Sequence, residues 1–261
     1  LPSREKGSCA DSFLLPEEPM RALRFRSILE ARGMEGIIYV GTIDPEIPLG
    51  FLEAGLGFAC AVTGMRSPGV PYHVVMPDFL ACGRRLVEGL KERGLGRPAI
   101  VIPKGLEAAL AYSFTGGLAS GLVELQECDQ LRILYVGETE TRLPEYEWDR
   151  MGVWLTRNRP DSVVTTDVEG FHRAVECLEG ELAKLPVFSL DWFPGQAAAG
   201  GIDLRQRKIG EAAVDLVVAQ IHRREVGVPG VQRSLTLEGI WKEGAALGSD
   251  PPVAAAGVTQ R

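Results

Sequence analysis

Short apolar runs alternate, along most of the chain, with longer segments whose apolar residues recur every three or four positions. Gly36–Val40 (GIIYV), Phe58–Thr63 (FACAVT), Pro98–Pro103 (PAIVIP), Leu131–Val136 (LRILYV), Ser162–Thr166 (SVVTT) and Val187–Asp191 read as strands, with Phe13–Leu15 a short one before them. These runs are nearly continuous rather than alternating, which predicts strands buried on both faces of a mostly parallel sheet. Between them the helical period predicts helices over Glu18–Arg32, Pro77–Arg93, Leu106–Leu125, Pro144–Arg157, Val168–Leu182 and Arg205–Arg223. In the first of these Leu23, Ser27, Ile28 and Ala31 are expected to point inward. In the last, Ile209, Ala212, Ala213, Leu216, Val217 and Ile221 form one apolar stripe, with Arg207, Lys208, Glu211, Asp215 and His222 near water. Gly227, Pro229 and Gly230 then stop it. Strands and helices in this order define the α/β class, here two doubly wound halves joined near Pro103–Gly105, with a closing strand pair around Leu235–Trp241.

Charge narrows the partners. With 28 Lys and Arg against 35 Asp and Glu the chain carries −7. A domain that grips phosphates needs a basic patch, and the cluster Arg21, Arg24, Arg26 reads as the solvated face of a helix. The five cysteines, Cys9, Cys60, Cys82, Cys128 and Cys177, are scattered and fit neither a disulfide framework nor a zinc site, so a reducing cytoplasm is the expected location. No run reaches the roughly 18 apolar residues of a membrane helix, and the opening LPSREKGSCADS lacks the core of a signal peptide. Neither a G-x-S-x-G elbow, a P-loop nor an H-E-x-x-H occurs. His73, His172 and His222 lie far apart. The chain is therefore expected to be no enzyme and to need no cofactor or metal.

Ligands of open α/β sheets settle beyond the carboxyl ends of the strands. That rule singles out Asp167 after SVVTT, Asp191 and Trp192 after VFSL, and Asp78 after the Tyr72–Met76 segment. A carboxylate there accepts hydrogen bonds from hydroxyls, and an aromatic ring offers the apolar side of a sugar a surface. Each has a plainer alternative. Asp167 and Asp78 stand where helix caps stand, and Trp192 has the bulk to fill an interface.

The tail, with Leu190-Asp191-Trp192, then Ile209, Gly210, Ala213 and Leu216, then Leu237-Glu238-Gly239 and Trp241, resembles the LacI/GalR transcriptional regulators. The resemblance is specific in this tail and extends more weakly back to about Phe13. It implies the type I periplasmic-binding-protein-like fold, with three crossings between subdomains. The first would hold residues 1–103 and 204–224 and the second 104–203 and 225–244, leaving 245–261 as a disordered tail. It implies a small-molecule, sugar-like effector in the cleft, contacted by Asp78, Ser113, Phe114, Asp167, Asp191 and Trp192. It also implies a homodimer, and contact with operator DNA only through a helix-turn-helix headpiece. Two departures stand out. Thr166 replaces an Asn expected before Asp167, and Tyr112–Leu118 lacks the Arg of the pattern "R-x-x-G-aromatic". No headpiece and no first strand and helix of the core are legible before Phe13, so a buried slot is expected in the first sheet. A periplasmic-type solute-binding protein and a ligand-free interaction module are the alternatives.

Overall fold

The computed structural model describes residues 19–40, 55–65, 70–124, 132–138, 140, 142–178 and 181–244. The expected strand at Phe13–Leu15 and the tail at 245–261 lie outside these residues.

In chain order the elements are α1 (Pro19–Ala31), β1 (Gly36–Val40), β2 (Ala59–Thr63), β3 (His73–Pro77), α2 (Phe79–Glu92), β4 (Pro98–Pro103), α3 (Lys104–Ala109), α4 (Ser113–Glu124) and β5 (Arg132–Val136). There follow α5 (Trp148–Asn158), β6 (Ser162–Thr165), α6 (Val168–Leu178), β7 (Val187–Ser189), β8 (Gly200–Asp203), α7 (Gln206–Arg223), β9 (Ser234–Leu237) and β10 (Ile240–Glu243). They form two sheets, one in the order β1-β2-β3-β9 and one in the order β10-β8-β7-β6-β4-β5. Every pairing is parallel except that of β10 with β8. The expected class, α/β with mostly parallel sheets, is the one observed.

The chain divides into a unit of 1–78 with 205–237 and a unit of 79–204 with 238–261. This differs from the sequence reading, which places everything to Pro103 in the first half. β4 pairs with β5 and β6, and α2 packs on α4, so both belong to the second unit. The expected closing strand pair is also split. β9 joins β3 in the first sheet, and β10 joins β8 in the second. Hydrophobic pattern locates strands but carries no information on which strand they pair with.

In the first unit α7 lies on the sheet as its stripe predicts. Ile209, Ala213 and Val217 are buried, and Ala212, Leu216 and Ile221 pack beside them against β2 and β3. Burying each Ile or Val fully contributes about 1.5–3 kcal/mol. Among the described side chains of α1, which begin at Arg24, Leu29 and Phe25 point inward and Ile28 is 40 % exposed; the expected Leu23 lies outside them. Arginines spaced along α1 blur its period, so the pattern points to the wrong face. The expected empty slot is not seen among the described strands. β1, β2, β3 and β9 pair in succession, and β1 stands at the end of the order.

In the second unit the expected continuous helix over Leu106–Leu125 is broken in two. Ala111 and Tyr112 both adopt left-handed backbone, with φ of 51° and 57°. Such a conformation is costly for side chains other than glycine. The break lets Glu107, fully buried, accept the N–H of Thr115 at 2.9 Å and so cap the first turn of α4. Burial raises the pKa of Glu107 despite that bond.

Candidate functional site at the carboxyl edge of the second sheet

β6 and β7 are neighbours, with Thr165 opposite Ser189. Each continues into the same three-residue pattern, a hydroxyl residue, a spacer and an aspartate: Thr165-Thr166-Asp167 and Ser189-Leu190-Asp191. In both, the hydroxyl that ends the strand accepts the acid's backbone N–H, at 3.1 Å for Asp167 and 3.2 Å for Asp191. The Leu190 N–H donates to the Thr165 carbonyl at 3.0 Å and ties the two turns together. Hydroxyl-closed turns of this kind hold the backbone without help from a ligand. Two carboxylates thus leave adjacent strands at matching positions.

Their fates differ. Asp167 Oδ1 accepts the Gly170 N–H at 3.0 Å and so caps α6, while Oδ2 accepts the Leu143 N–H at 3.0 Å. One carboxylate therefore secures both a helix start and the loop after β5. A side chain on Gly170 would collide with that carboxylate, which explains the glycine there. Asp191 makes no such bonds and is exposed. Desolvation by surrounding protein nonetheless raises its pKa above the ordinary aspartate value, and Asp203 at the end of β8 raises it further. Replacing Asp167 by Ala should cost about 1–3 kcal/mol, from one lost cap and one unmet loop N–H. Chemical denaturation of the two proteins measures this, and a loss under about 0.5 kcal/mol, the scale of an ordinary surface change, contradicts the bracing role.

The same edge carries buried polar atoms without a hydrogen-bond partner: Thr166 Oγ1, Trp192 Nε1 and Gln196 Oε1. Trp192 is held by its backbone N–H on Ile202 O at 2.8 Å, with its ring against the main core. An unmet buried donor or acceptor costs about 1–3 kcal/mol, so each calls for a water or a ligand atom. Trp148 Nε1 and Glu107 Oε2 are in the same state elsewhere in this unit.

The other residues expected at the site are not gathered here. Phe114 is 2 % exposed and packs edge-to-face on Phe79 at 5.0 Å, so its ring offers no surface to a ligand. Ser113 donates its hydroxyl to Leu110 O at 2.6 Å, within the break between α3 and α4. Asp78 is half-buried in the first unit, its N–H on Leu237 O at 2.8 Å. Sequence reasoning missed Asp203, Thr166 and Gln196. Asp203 ends a four-residue strand, Gly-Gly-Ile-Asp, too short and too glycine-rich to register as one.

No group of His, Cys, Asp and Glu among the described residues has the geometry of a metal site. Cys60, Cys82 and Cys177 are free, and burial pushes the Cys60 thiol up to about 12, far from a nucleophilic thiolate. No helix among the described residues is long and apolar enough to cross a membrane.

No family model and no curated protein sequence matches the chain. Solved structures do match its fold. The transcriptional regulator CelR in complex with cellobiose aligns with a TM-score of 0.60 at 17 % identity, over 86 % of this chain and 69 % of that one. A LacI transcriptional regulator from a Rhodococcus species aligns with a TM-score of 0.59 at 20 % identity, over 84 % and 80 %. The Cra transcriptional dual regulator from Pseudomonas putida, in complex with fructose 1-phosphate, aligns with a TM-score of 0.58 at 17 % identity, over 87 % and 83 %. The fold is that of the cores of LacI-type regulators.

Proposed function

We propose that the chain is the ligand-sensing core of a LacI-type transcriptional regulator, and that its effector is a small hydroxyl-bearing molecule of the sugar class. The observation that carries this reading is the carboxyl edge of the second sheet. Asp191 lies open beside Asp203, and three buried polar atoms nearby lack partners. Two neighbouring carboxylates repel, and ligand hydroxyls donating to them relieve that repulsion. Thr166, Trp192 and Gln196 add one hydroxyl, one donor and one acceptor. The fold neighbours bound to cellobiose and fructose 1-phosphate support the same class of ligand. In this reading the protein is a cytoplasmic homodimer that reaches operator DNA through a helix-turn-helix headpiece. A net charge of −7 argues against the sensing core itself gripping the DNA backbone. Effector binding would act by favouring one of two conformations that differ in affinity for the ligand.

The test is thermal unfolding with and without a panel of mono- and disaccharides and sugar phosphates, including cellobiose and fructose 1-phosphate. A ligand at about a hundred times its Kd stabilises the folded state by about 2.7 kcal/mol. Asp191 braces nothing, so Asp191→Ala is expected to leave the unliganded melting point within about 1–2 °C, since surface changes stay within about 0.5 kcal/mol. The variant should also abolish the ligand-induced rise. A rise that survives Asp191→Ala removes the effector from this edge, and no rise with any sugar sinks the sugar class. Fractionation of the native cell checks the regulator reading separately, because a solute-binding protein would be found outside the cytoplasm.

A further inference from the structure

His73 opens β3 and is 3 % exposed. Its Nδ1 receives the backbone N–H of Arg233 at 3.1 Å. A backbone N–H only donates, so Nδ1 must carry the lone pair and the ring is neutral, with its proton on Nε2. The contact sits where β9 begins. The Val74 N–H donates to Arg233 O at 2.9 Å, and Gln232 Nε2 donates to Tyr72 O at 2.6 Å and Val70 O at 3.0 Å. From Val74 opposite Ser234 the parallel ladder runs to Pro77 opposite Leu237. β9 is thus docked at its start by one imidazole, one carboxamide and the first rung of the ladder. Its end is where the chain leaves the first unit for the second.

We propose that His73 is a proton-operated latch on β9. Protonation places a hydrogen on Nδ1, directly facing the Arg233 N–H. The bond is then lost and two donors are opposed in a buried position. The charged groups around the ring favour the neutral state on balance. Arg233, at the start of β9, and Arg223, at the end of α7, oppose a positive ring, while Glu225 in the following loop favours one and is itself paired with Arg223 at 2.8 Å. On the β2 side the residue opposite His73 is Ala61, which carries no charge. Desolvation is the largest cause, and together these hold the pKa of His73 below the ordinary histidine value. The sign follows. Stability from the neutral latch is fully present above the unfolded-state pKa of about 6.5, and is lost as pH falls from there through the lowered folded value. Within that window opening of β9 becomes easier by at most about tenfold per pH unit.

The inference does not depend on the regulator reading. It is tested on the full chain by pH-dependent amide exchange, corrected for intrinsic rates, with β9 compared with β1 and β2. In the wild type, protection of residues 233–237 should fall by up to about tenfold per pH unit below about 6.5, while β1 and β2 hold theirs. His73→Asn places an acceptor oxygen where Nδ1 stands and does not titrate, so its β9 protection should be flat over the same range. Equal pH dependence in both proteins, or loss of β1 and β2 together with β9, overturns the latch. Should His73→Asn not fold, long-range 1H–15N correlation on the wild type decides the matter. An unprotonated Nδ1 above the ordinary histidine pKa, with ring titration below that value, sustains the proposal. A protonated Nδ1, or titration at or above that value, refutes it.

Discussion

Gly117→Ala is expected to melt the second unit well below the wild type, while the same change one residue earlier leaves it as stable or slightly more so. Gly117 lies on α4 where it crosses α2. An alanine Cβ there would be driven into the carbonyl of Leu80, with Leu80 C at 2.9 Å and Gly83 Cα at 3.0 Å. Gly83 is the matching contact on α2, where a Cβ would meet Phe114 O at 2.7 Å and Leu118 N at 2.8 Å. These obstacles are backbone on both sides, so no side chain can turn aside and the helices must separate. Separation would uncover Phe79, Leu86, Phe114 and Leu118, all buried in this unit. Overpacking a well-filled contact costs about 1–3 kcal/mol, and a clash with backbone lies at or beyond the top of that range. For a chain of this length about 3 kcal/mol lowers Tm by roughly 6–12 °C. Gly116 is exposed on the same helix, and a methyl group added there would meet nothing within 4 Å. Gly116→Ala should therefore gain up to about 1 kcal/mol from helix propensity. Melting curves followed by circular dichroism separate the two. Equal curves for the two variants would mean that α2 and α4 do not meet through Gly83 and Gly117.

Trp241→Ala is the second large effect expected. The indole on β10 lies 5.7 Å from the ring of Phe188, with the Arg93 guanidinium 4.1 Å above its centroid. A Cβ on Gly89 would come within 2.7 Å of Trp241 Cδ2, so α2 is glycine at this point because the ring needs the space. Its Nε1 donates to Glu243 at 3.1 Å, and Glu243 also pairs with Arg93. Removing a buried Trp costs about 3–5 kcal/mol, and the half-exposed edge of this ring places the expected loss near the lower end. Trp241→Phe should recover more than half of it by refilling the slot against Phe188. Arg93→Ala should cost only about 0.5–1 kcal/mol, the worth of an exposed cation–π contact. Urea denaturation of the three variants checks the order. A loss from Trp241→Ala no larger than that from Arg93→Ala would show that β10 is not secured by its tryptophan.

These effects show why the same residues read differently in sequence and in space. Gly116 and Gly117 are adjacent and chemically identical. Only the crossing of α2 over α4 makes one indispensable and the other replaceable. Phe114 is a similar case. Its place in a resembled ligand pattern suggests an aromatic surface for a sugar, but α4 begins after a break at Ala111–Tyr112 that turns the ring onto Phe79. Asp167 is legible both as a cap and as a ligand contact, and the geometry fills one acceptor position on each oxygen with a backbone N–H. The acid left open is Asp191, and its neighbour Asp203 is invisible in the sequence because Gly-Gly-Ile-Asp lacks the apolar run by which buried strands are detected.

The sequence by itself determined the α/β class, the two-unit organisation, eight of the ten strands described (all but β3 and β8), and the stripe by which α7 covers the first sheet. It did so because burial imposes a period, and period survives in a one-dimensional string. Only the tertiary structure decided that α2 and β4 belong to the second unit and that β9 and β10 part company. It alone placed Asp191 beside Asp203 and joined the His73 ring to Arg233, 160 residues away. Strand pairing, helix crossing and hydrogen bonding all depend on which distant residue arrives at a given point. That is settled by the packing of the whole unit and leaves no local trace in the chain.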